Sequence, residues 1–215
     1  MKTALKIPVA AAVAVGALYA LLPARAQDGQ VGNPSCGKAP GHVGHGTPLV
    51  PSAGNQLAAF AQGCFWGSEE RFRKVHGVVA TAVGYTGGHT ANPSYLEVCG
   101  DGTGHAESVL VEFNPKQLSY DQLLKFFWET HDPTSGDRQG PDSGNQYRSA
   151  IFTFNAQQQK AARASRDEAQ KGLEQKITTE IAPAGPFWIA EGYHQQYDEV
   201  HGSLSCPLPH RAQRK

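Results

Sequence analysis

Three stretches hold residues whose types and spacing can do chemistry. The first is Gly63-Cys64-Phe65-Trp66-Gly67. A cysteine just ahead of a helix faces unpaired N–H groups and the positive end of the helix dipole. Both favour the thiolate and lower the thiol from its ordinary value of about 8.5. Glycine on each side allows a tight turn and close approach of a substrate backbone. Phe65 and Trp66 offer an apolar wall. The plainer reading of an isolated cysteine is a small buried hydrophobe, with the two rings as core.

The second stretch is Asn92-Pro93-Ser94-Tyr95, then Cys99, then Gly104-His105-Ala106-Glu107. A glutamate opening a strand behind a Gly-rich turn rises in pKa if partly buried and can then donate a proton near neutrality. A solvated strand-end carboxylate is its commoner counterpart, and Cys99 reads as a buried structural cysteine. The third stretch runs over residues 139–149 and contains Asp142 and Tyr147. Spacing alone makes it a loop entering a strand, with Asp142 as a turn residue and Tyr147 as a half-buried strand aromatic.

The elements that must position these residues follow from periodicity. Residues 57–61 read as a short buried strand ending at Gly63, with a helix starting just after Cys64. Glu69 and Glu70 are expected in its first turn and Arg73 and Lys74 in its last, matching the dipole. Residues 78–85 and 107–113 are strand-like, with Val109, Val111 and Phe113 on one face. Ser119-x-x-Gln122 is a capping box for a helix reaching Thr130, striped by Leu123, Leu124, Phe127 and Trp128. A strand is expected over 147–154, a helix capped by Asn155 to about 172, a strand over 178–181, and a helical turn or two over 191–200. This order predicts an α+β two-layer domain with helices packed on a mixed β-sheet.

Composition narrows the class. The 215 residues carry no net charge and are 40% hydrophobic. No basic stripe with interleaved aromatics speaks for nucleic acid. Lys2 and Lys6, the apolar run over 7–22 and Ala24-Arg25-Ala26 form a signal peptide over 1–26. Its apolar run is shorter than the roughly 20 residues that span a bilayer core, and an uncleaved anchor is the alternative. Either way the body faces an oxidising compartment, so export to the periplasm or medium is expected. Residues 27–55 form a Gly/Pro/His-rich flexible arm, 56–200 the folded domain and 201–215 a tail. The cysteines are Cys36, Cys64, Cys99 and Cys206, which allow three complete pairings and contain no C-x-x-C. Cys36, His42 and His45 in the arm have a spacing that can bind copper or zinc, although such segments are frequently just solvated.

The motifs Gly63–Gly67, Gly84-Tyr85-Thr86-Gly87-Gly88, Pro93-Ser94-Tyr95-x-x-Val98-Cys99, Gly104–Glu107, Asp142-x-Gly144-x-Gln146-Tyr147-Arg148-Ser149 and Tyr193-His194-Gln195-Gln196-Tyr197 occur in that order. Together they resemble the A-type peptide methionine sulfoxide reductases over residues 60–197. The resemblance implies a ferredoxin-like two-layer plait. It gives Cys64 the role of attacking the sulfoxide sulfur and Phe65 and Trp66 that of holding the substrate methyl. Glu107 becomes the acid at the sulfoxide oxygen, with Tyr95 and Tyr147 bonded to the same oxygen and Asp142 ordering solvent around it. Cys206 is the implied resolving cysteine, with Cys36 as rival, because the tail Gly202-Ser203-Leu204-Ser205-Cys206-Pro207 departs from the common Gly-Tyr-Cys ending. Cys99 is left as core.

The expected reaction is reduction of the S epimer of methionine sulfoxide, free or protein-bound. A sulfenic acid and then an intramolecular disulfide follow, opened by an external dithiol of thioredoxin type. No metal or organic cofactor, no nucleic acid and a monomer are expected. Two alternatives stand beside this one. One is a cysteine hydrolase pairing Cys64 with His105 or His194. The other is a binding module that grips oxidised methionine, or a metal through the arm, without turnover.

Overall fold

A computed structural model describes residues 50–202. The signal segment, the arm up to residue 49 with Cys36, His42 and His45, and the tail with Cys206 lie outside the described residues. In chain order the elements are β1 (Gln56–Gln62), α1 (Phe65–Arg73), β2 (Val78–Thr86), α2 (Tyr95–Cys99), β3 (Ala106–Phe113) and α3 (Tyr120–Glu129). Then come β4 (Arg138–Gln139), β5 (Asp142–Ser143), β6 (Ser149–Thr153), α4 (Ala156–Gln170), β7 (Glu180–Pro183), β8 (Trp188–Ile189) and α5 (Tyr197–His201). Single 3₁₀ turns occupy Asn145–Tyr147 and Gly192–His194.

Six strands form one sheet in the order β7-β6-β1-β3-β2-β8. The β6–β7 pair is parallel and the others are antiparallel, so the sheet is mixed and the domain α+β, as the element order predicts. Alternation along each strand sorts side chains to two faces. Phe60 of β1, Val83 and Tyr85 of β2, and Val109, Val111 and Phe113 of β3 join Phe72 of α1 and Leu123, Leu124 and Phe127 of α3 in one buried cluster. Phe60 is its centre, with ring centroids 5.0 Å from Phe72 and 5.3 Å from Phe127. Glu107 has the same parity as Val109, so the pleat turns its carboxyl toward the helical layer. On the opposite face Ala59, Ala61, Ala82 and Ala106 share a second buried cluster with Phe152 and Phe187. With both faces covered, every residue of β3 is buried.

The helix starts follow local capping. Ser119 and Gln122 cap α3 reciprocally, and Asn155 accepts from Gln158 N–H at 2.9 Å to start α4. Several expectations need correction. The first turn of α1 carries no acidic residue. Glu69 lies one turn further in, fully buried, and answers to partners elsewhere rather than to the dipole. Tyr147 sits in a 3₁₀ turn and β6 begins at Ser149, because Arg148 is the first residue whose backbone is extended. The strand expected over 178–181 is β7, shifted to Glu180–Pro183 by its parallel pairing with β6. The helix α2, the β4–β5 hairpin and β8 are additional.

Candidate active site

Cys64 is the N-cap of α1, half-buried, at the point where β1 gives way to helix. Gly63 makes this junction possible. Its φ is +87°, and a Cβ there would lie 2.6 Å from Cβ and Cγ of Gln139. Gln139 is fixed in turn, because its side-chain amide accepts from Asp132 N–H at 3.1 Å and donates to Asp132 O at 3.0 Å. The backbone carbonyl of Cys64 accepts from the hydroxyl and N–H of Ser68, which closes the first turn.

Glu107 reaches the same helix end from β3. Its Oε2 accepts from the N–H of Phe65, the residue after the cysteine, at 3.0 Å. Burial pushes its carboxyl up to about 8, the Phe65 N–H works against that, and the charge of Asp142 adds to the rise. A carboxylic acid held neutral at pH 7 therefore stands at the N-terminus of the cysteine-bearing helix, oriented by that helix's own N–H.

Tyr95, Asp142 and Tyr147 converge on this acid from two segments, the first from α2 and the others from β5 and the turn that follows it. Tyr95 opens α2, whose start is fixed by a capping box between Ser94 and Glu97. Tyr147 belongs to the 3₁₀ turn after β5, the strand that carries Asp142. Burial raises both tyrosines well above the ordinary phenol value, and the charge of Glu107 raises both further. They are neutral hydroxyls, able to donate. Tyr147 also feels Cys99, Asp142 and Cys64, which puts its hydroxyl amid the whole group.

Cys99 is a further correction. It is half-buried at the end of α2 rather than in the core. Burial pushes its thiol up despite the hydrogen bond with Tyr95, and Glu107 pushes it further. It belongs to the wall of this site.

Of the aromatic pair, Phe65 is 1% exposed and packed against Tyr85 and His194, whereas Trp66 is half-buried. Trp66 stacks on Tyr197 with centroids 3.8 Å apart and planes 9° apart, and its indole N–H donates to Nδ1 of His194 at 2.9 Å.

Sequence reasoning passed over the groups that hold these parts. Glu191 accepts from Tyr95 N–H and from the Tyr85 hydroxyl, both at 2.9 Å. Burial alone would raise its carboxyl, but these donors hold it below the usual range. Gln195 lays its amide against β2, accepting from Val83 N–H at 2.9 Å and donating to Val83 O at 2.9 Å. Glu69 accepts from the N–H and side-chain amide of Gln196, at 2.7 and 2.8 Å, and from Thr81. Arg73 grips Glu199 through both carboxylate oxygens. One face of α1, through Trp66, Glu69 and Arg73, thus clasps Tyr197, Gln196 and Glu199. The available signal was the Tyr193–Tyr197 motif, whose parts lie more than 100 residues from their partners.

The histidines bear on the hydrolase alternative. His105 accepts from Gly88 N–H through Nδ1 and bonds Thr90 O through Nε2, so both nitrogens serve the 88–90 loop. His194 gives Nδ1 to Trp66, and Nε2 has no hydrogen-bond partner. Both nitrogens of His105 and Nδ1 of His194 are thus engaged by groups other than Cys64. Among the described residues no group of three or more His, Cys, Asp or Glu can hold a metal ion. No described helix is long and apolar enough to cross a membrane.

A family model described as peptide methionine sulfoxide reductase matches residues 56–215. The peptide methionine sulfoxide reductase MsrA of Methanosarcina acetivorans is 56% identical over 156 residues, covering 72% of this chain and 83% of that protein. Mxr1 of Saccharomyces cerevisiae, solved in reduced form, superposes with a TM-score of 0.71 at 36% identity, over 77% of this chain and 96% of its own. The same yeast protein, solved in complex with Trx2, superposes with a TM-score of 0.53 at 27% identity, over 78% and 96%.

Proposed function

Because the chain belongs to the peptide methionine sulfoxide reductase family and is an enzyme of methionine sulfoxide reduction, we propose that Cys64 is its nucleophile and Glu107 its proton donor, acting on the S epimer. The observation that carries this reading is the Glu107–Phe65 hydrogen bond, which sets a neutral carboxyl beside the helix end that bears the thiol.

The Cys64 sulfur attacks the sulfoxide sulfur, and electrons move onto the oxygen. An oxide leaves poorly, so the proton of Glu107 goes to that oxygen, a transfer that contributes about 10²–10⁴-fold. The Tyr95 and Tyr147 hydroxyls donate to the same oxygen, and Asp142 orders solvent beside it. The protonated oxygen passes from the substrate sulfur to the Cys64 sulfur as the bond between the two sulfurs breaks, so methionine departs and Cys64 is left as sulfenic acid. The only apolar tip of the substrate is its S–CH3 group, which the indole face of Trp66 covers without competing hydrogen bonds, with Phe65 behind it. The thiol of Cys206 then displaces water from the sulfenic acid, and the Cys64–Cys206 disulfide is reduced by an external dithiol. The complex of yeast Mxr1 with Trx2 supports a thioredoxin-like donor.

The same reading assigns 1–26 to export, which puts the enzyme in the periplasm or medium as a monomer that repairs oxidised proteins. Residues 27–55 are the arm, 56–200 the catalytic domain and 201–215 the tail. The inner order β6-β1-β3-β2, with α1 and α3 as crossovers, supports a ferredoxin-like plait.

The test is Cys64→Ser and Glu107→Gln assayed separately on the two sulfoxide epimers, with intact mass after a single turnover lacking donor. The expected results are no turnover by Cys64→Ser, turnover of the S epimer alone by wild type, and a loss of two hydrogens mapping to Cys64 and Cys206. Undiminished turnover by Cys64→Ser would overturn the mechanism.

A further inference from the structure

The reaction asks two donors, Glu107 and Tyr95, to meet one oxygen, yet they arrive on separate elements. Glu107 is fixed by β3 and by the Phe65 N–H. Tyr95 opens α2, a five-residue helix in the long connection between β2 and β3. Of the residues of α2 only Val98 is buried, so the helix has little packing of its own. Its capping box satisfies the N–H groups of Ser94 and Glu97 locally. The Tyr95 N–H is the first donor of the helix and cannot find a partner inside it. Glu191 meets it from 96 positions away, through Oε1 at 2.9 Å.

The other oxygen of that carboxylate accepts from the Tyr85 hydroxyl, also at 2.9 Å. Tyr85 pairs with Glu107 across β2 and β3, residue against residue. Directly opposed residues send their side chains to the same face, so the fully buried Tyr85 rises beside the acid. One carboxylate therefore joins the cross-strand partner of Glu107 to the backbone of Tyr95. Burial would raise the Glu191 carboxyl, but the bonds from Tyr95 and Tyr85 bring it below the usual range. It is ionised at pH 7, and both oxygens accept. The Tyr95 ring leans on the same segment, with its centroid 4.5 Å from that of His194.

We infer that Glu191 is a positioning residue: its carboxylate fastens the first residue of α2 to Tyr85 and so sets the Tyr95 hydroxyl in register with Glu107. The inference rests on the reading of Tyr95 as a donor to the sulfoxide oxygen. Glu191 acts through Tyr95 and transfers no proton itself.

The test is a single turnover lacking donor, read as methionine formed by the full chain. Glu191→Ala removes both bonds and should slow this step about tenfold, the scale of one misplaced hydrogen bond at the reacting oxygen. Glu191→Gln can accept from the Tyr95 N–H and donate to the Tyr85 oxygen, so it should stay within about threefold of wild type. In a Tyr95→Phe background, Glu191→Ala should cost less than about twofold, because the group it positions is gone. A merely structural role would slow both backgrounds alike, and that result overturns the inference. So does a Gln variant as slow as the Ala variant. Amide exchange at Tyr95 should quicken in Glu191→Ala while the amides of β3 stay protected, and unchanged exchange at Tyr95 also overturns the inference. Should Glu191→Ala fail to fold, Tyr85→Phe cuts one of the two bonds. It should show the same dependence on background in smaller measure, and equal losses there overturn the inference as well. If Tyr95→Phe itself matches wild type while Glu191→Ala releases the Tyr95 amide, the fastening stands and the donor role of Tyr95 falls instead.

Discussion

The carboxyl of Glu107 and the amide of Phe65, 42 positions apart in sequence, are joined by one buried 3.0 Å hydrogen bond. The strand that carries the acid is thereby referenced directly to the helix that begins at the thiol. Substituting Glu107 with Gln keeps an oxygen for the amide and removes the proton. Turnover should fall about 10²–10⁴-fold. Stability should move the other way. The folded carboxyl is raised from 4.5 to about 8, so its contribution is full below 4.5 and is lost as pH rises through 8. Glu107→Gln escapes that loss and should be more stable than wild type at pH 7 by on the order of 3 kcal/mol. Denaturation of both proteins at pH 4 and pH 7 measures it, and a constant difference between the two would contradict the buried neutral acid.

Gly63 and Gln139 meet so closely that no side chain fits between them. Gly63→Ala must both hold φ at +87° and displace the Gln139 stem, which carries the hairpin bearing Asp142. The expected cost is about 2–4 kcal/mol, with activity falling further than stability explains because Cys64 and Asp142 move together. Urea unfolding and kcat/KM measured below the transition separate the two effects.

His131 is fully buried, with Nδ1 at Phe127 O and Nε2 at the Ser149 hydroxyl. Burial pushes it down to about 4, against its ordinary 6.5. Its neutral form is therefore fully stabilising above 6.5, and that contribution is lost as pH falls through 4. Acidification across this window should remove on the order of 3 kcal/mol of this contribution, opposite in sign to that of Glu107. His131→Gln should flatten the profile there. An identical change in stability between pH 7 and pH 4.5 in wild type and His131→Gln would count against a buried neutral ring.

Glu69 satisfies three donors at once, two from Gln196 and one from Thr81. Glu69→Ala should strand them and cost about 3 kcal/mol or more. Hydrogen exchange should quicken over 196–201 while the amides of β1 and β3 stay protected. Uniform quickening across the domain would mean that Glu69 is an ordinary core residue and not the clasp of α5 on α1.

The long elements were legible because each carries a local pattern: the alternation of β3, the stripe and capping box of α3, and the Asn155 start of α4. The α+β class followed from their order. The short elements carry no such period. The five residues of α2 follow Pro93 inside a Gly-rich stretch, and the two residues of β8 exist only because β2 offers an edge at Gly84 and Tyr85. Glu69 looked like a dipole partner because charge and proximity to a helix start are local properties. Its actual partners, Thr81 and Gln196, are set by the fold. Cys99 was taken for core for a similar reason, since only the position of α2 over the site reveals it as wall.

Gln195 has a consequence for how this protein tolerates change. Its amide stands in for the peptide group of a missing neighbour strand, reading Val83 as an adjacent chain would. The backbone between Ala190 and Gln195 is thus a measured spacer, and inserting one residue there would shift Glu191 out of phase with His194 and Tyr197. Length variation among natural or engineered versions should accumulate elsewhere, in surface turns such as Gly172 onward, and spare this six-residue ruler.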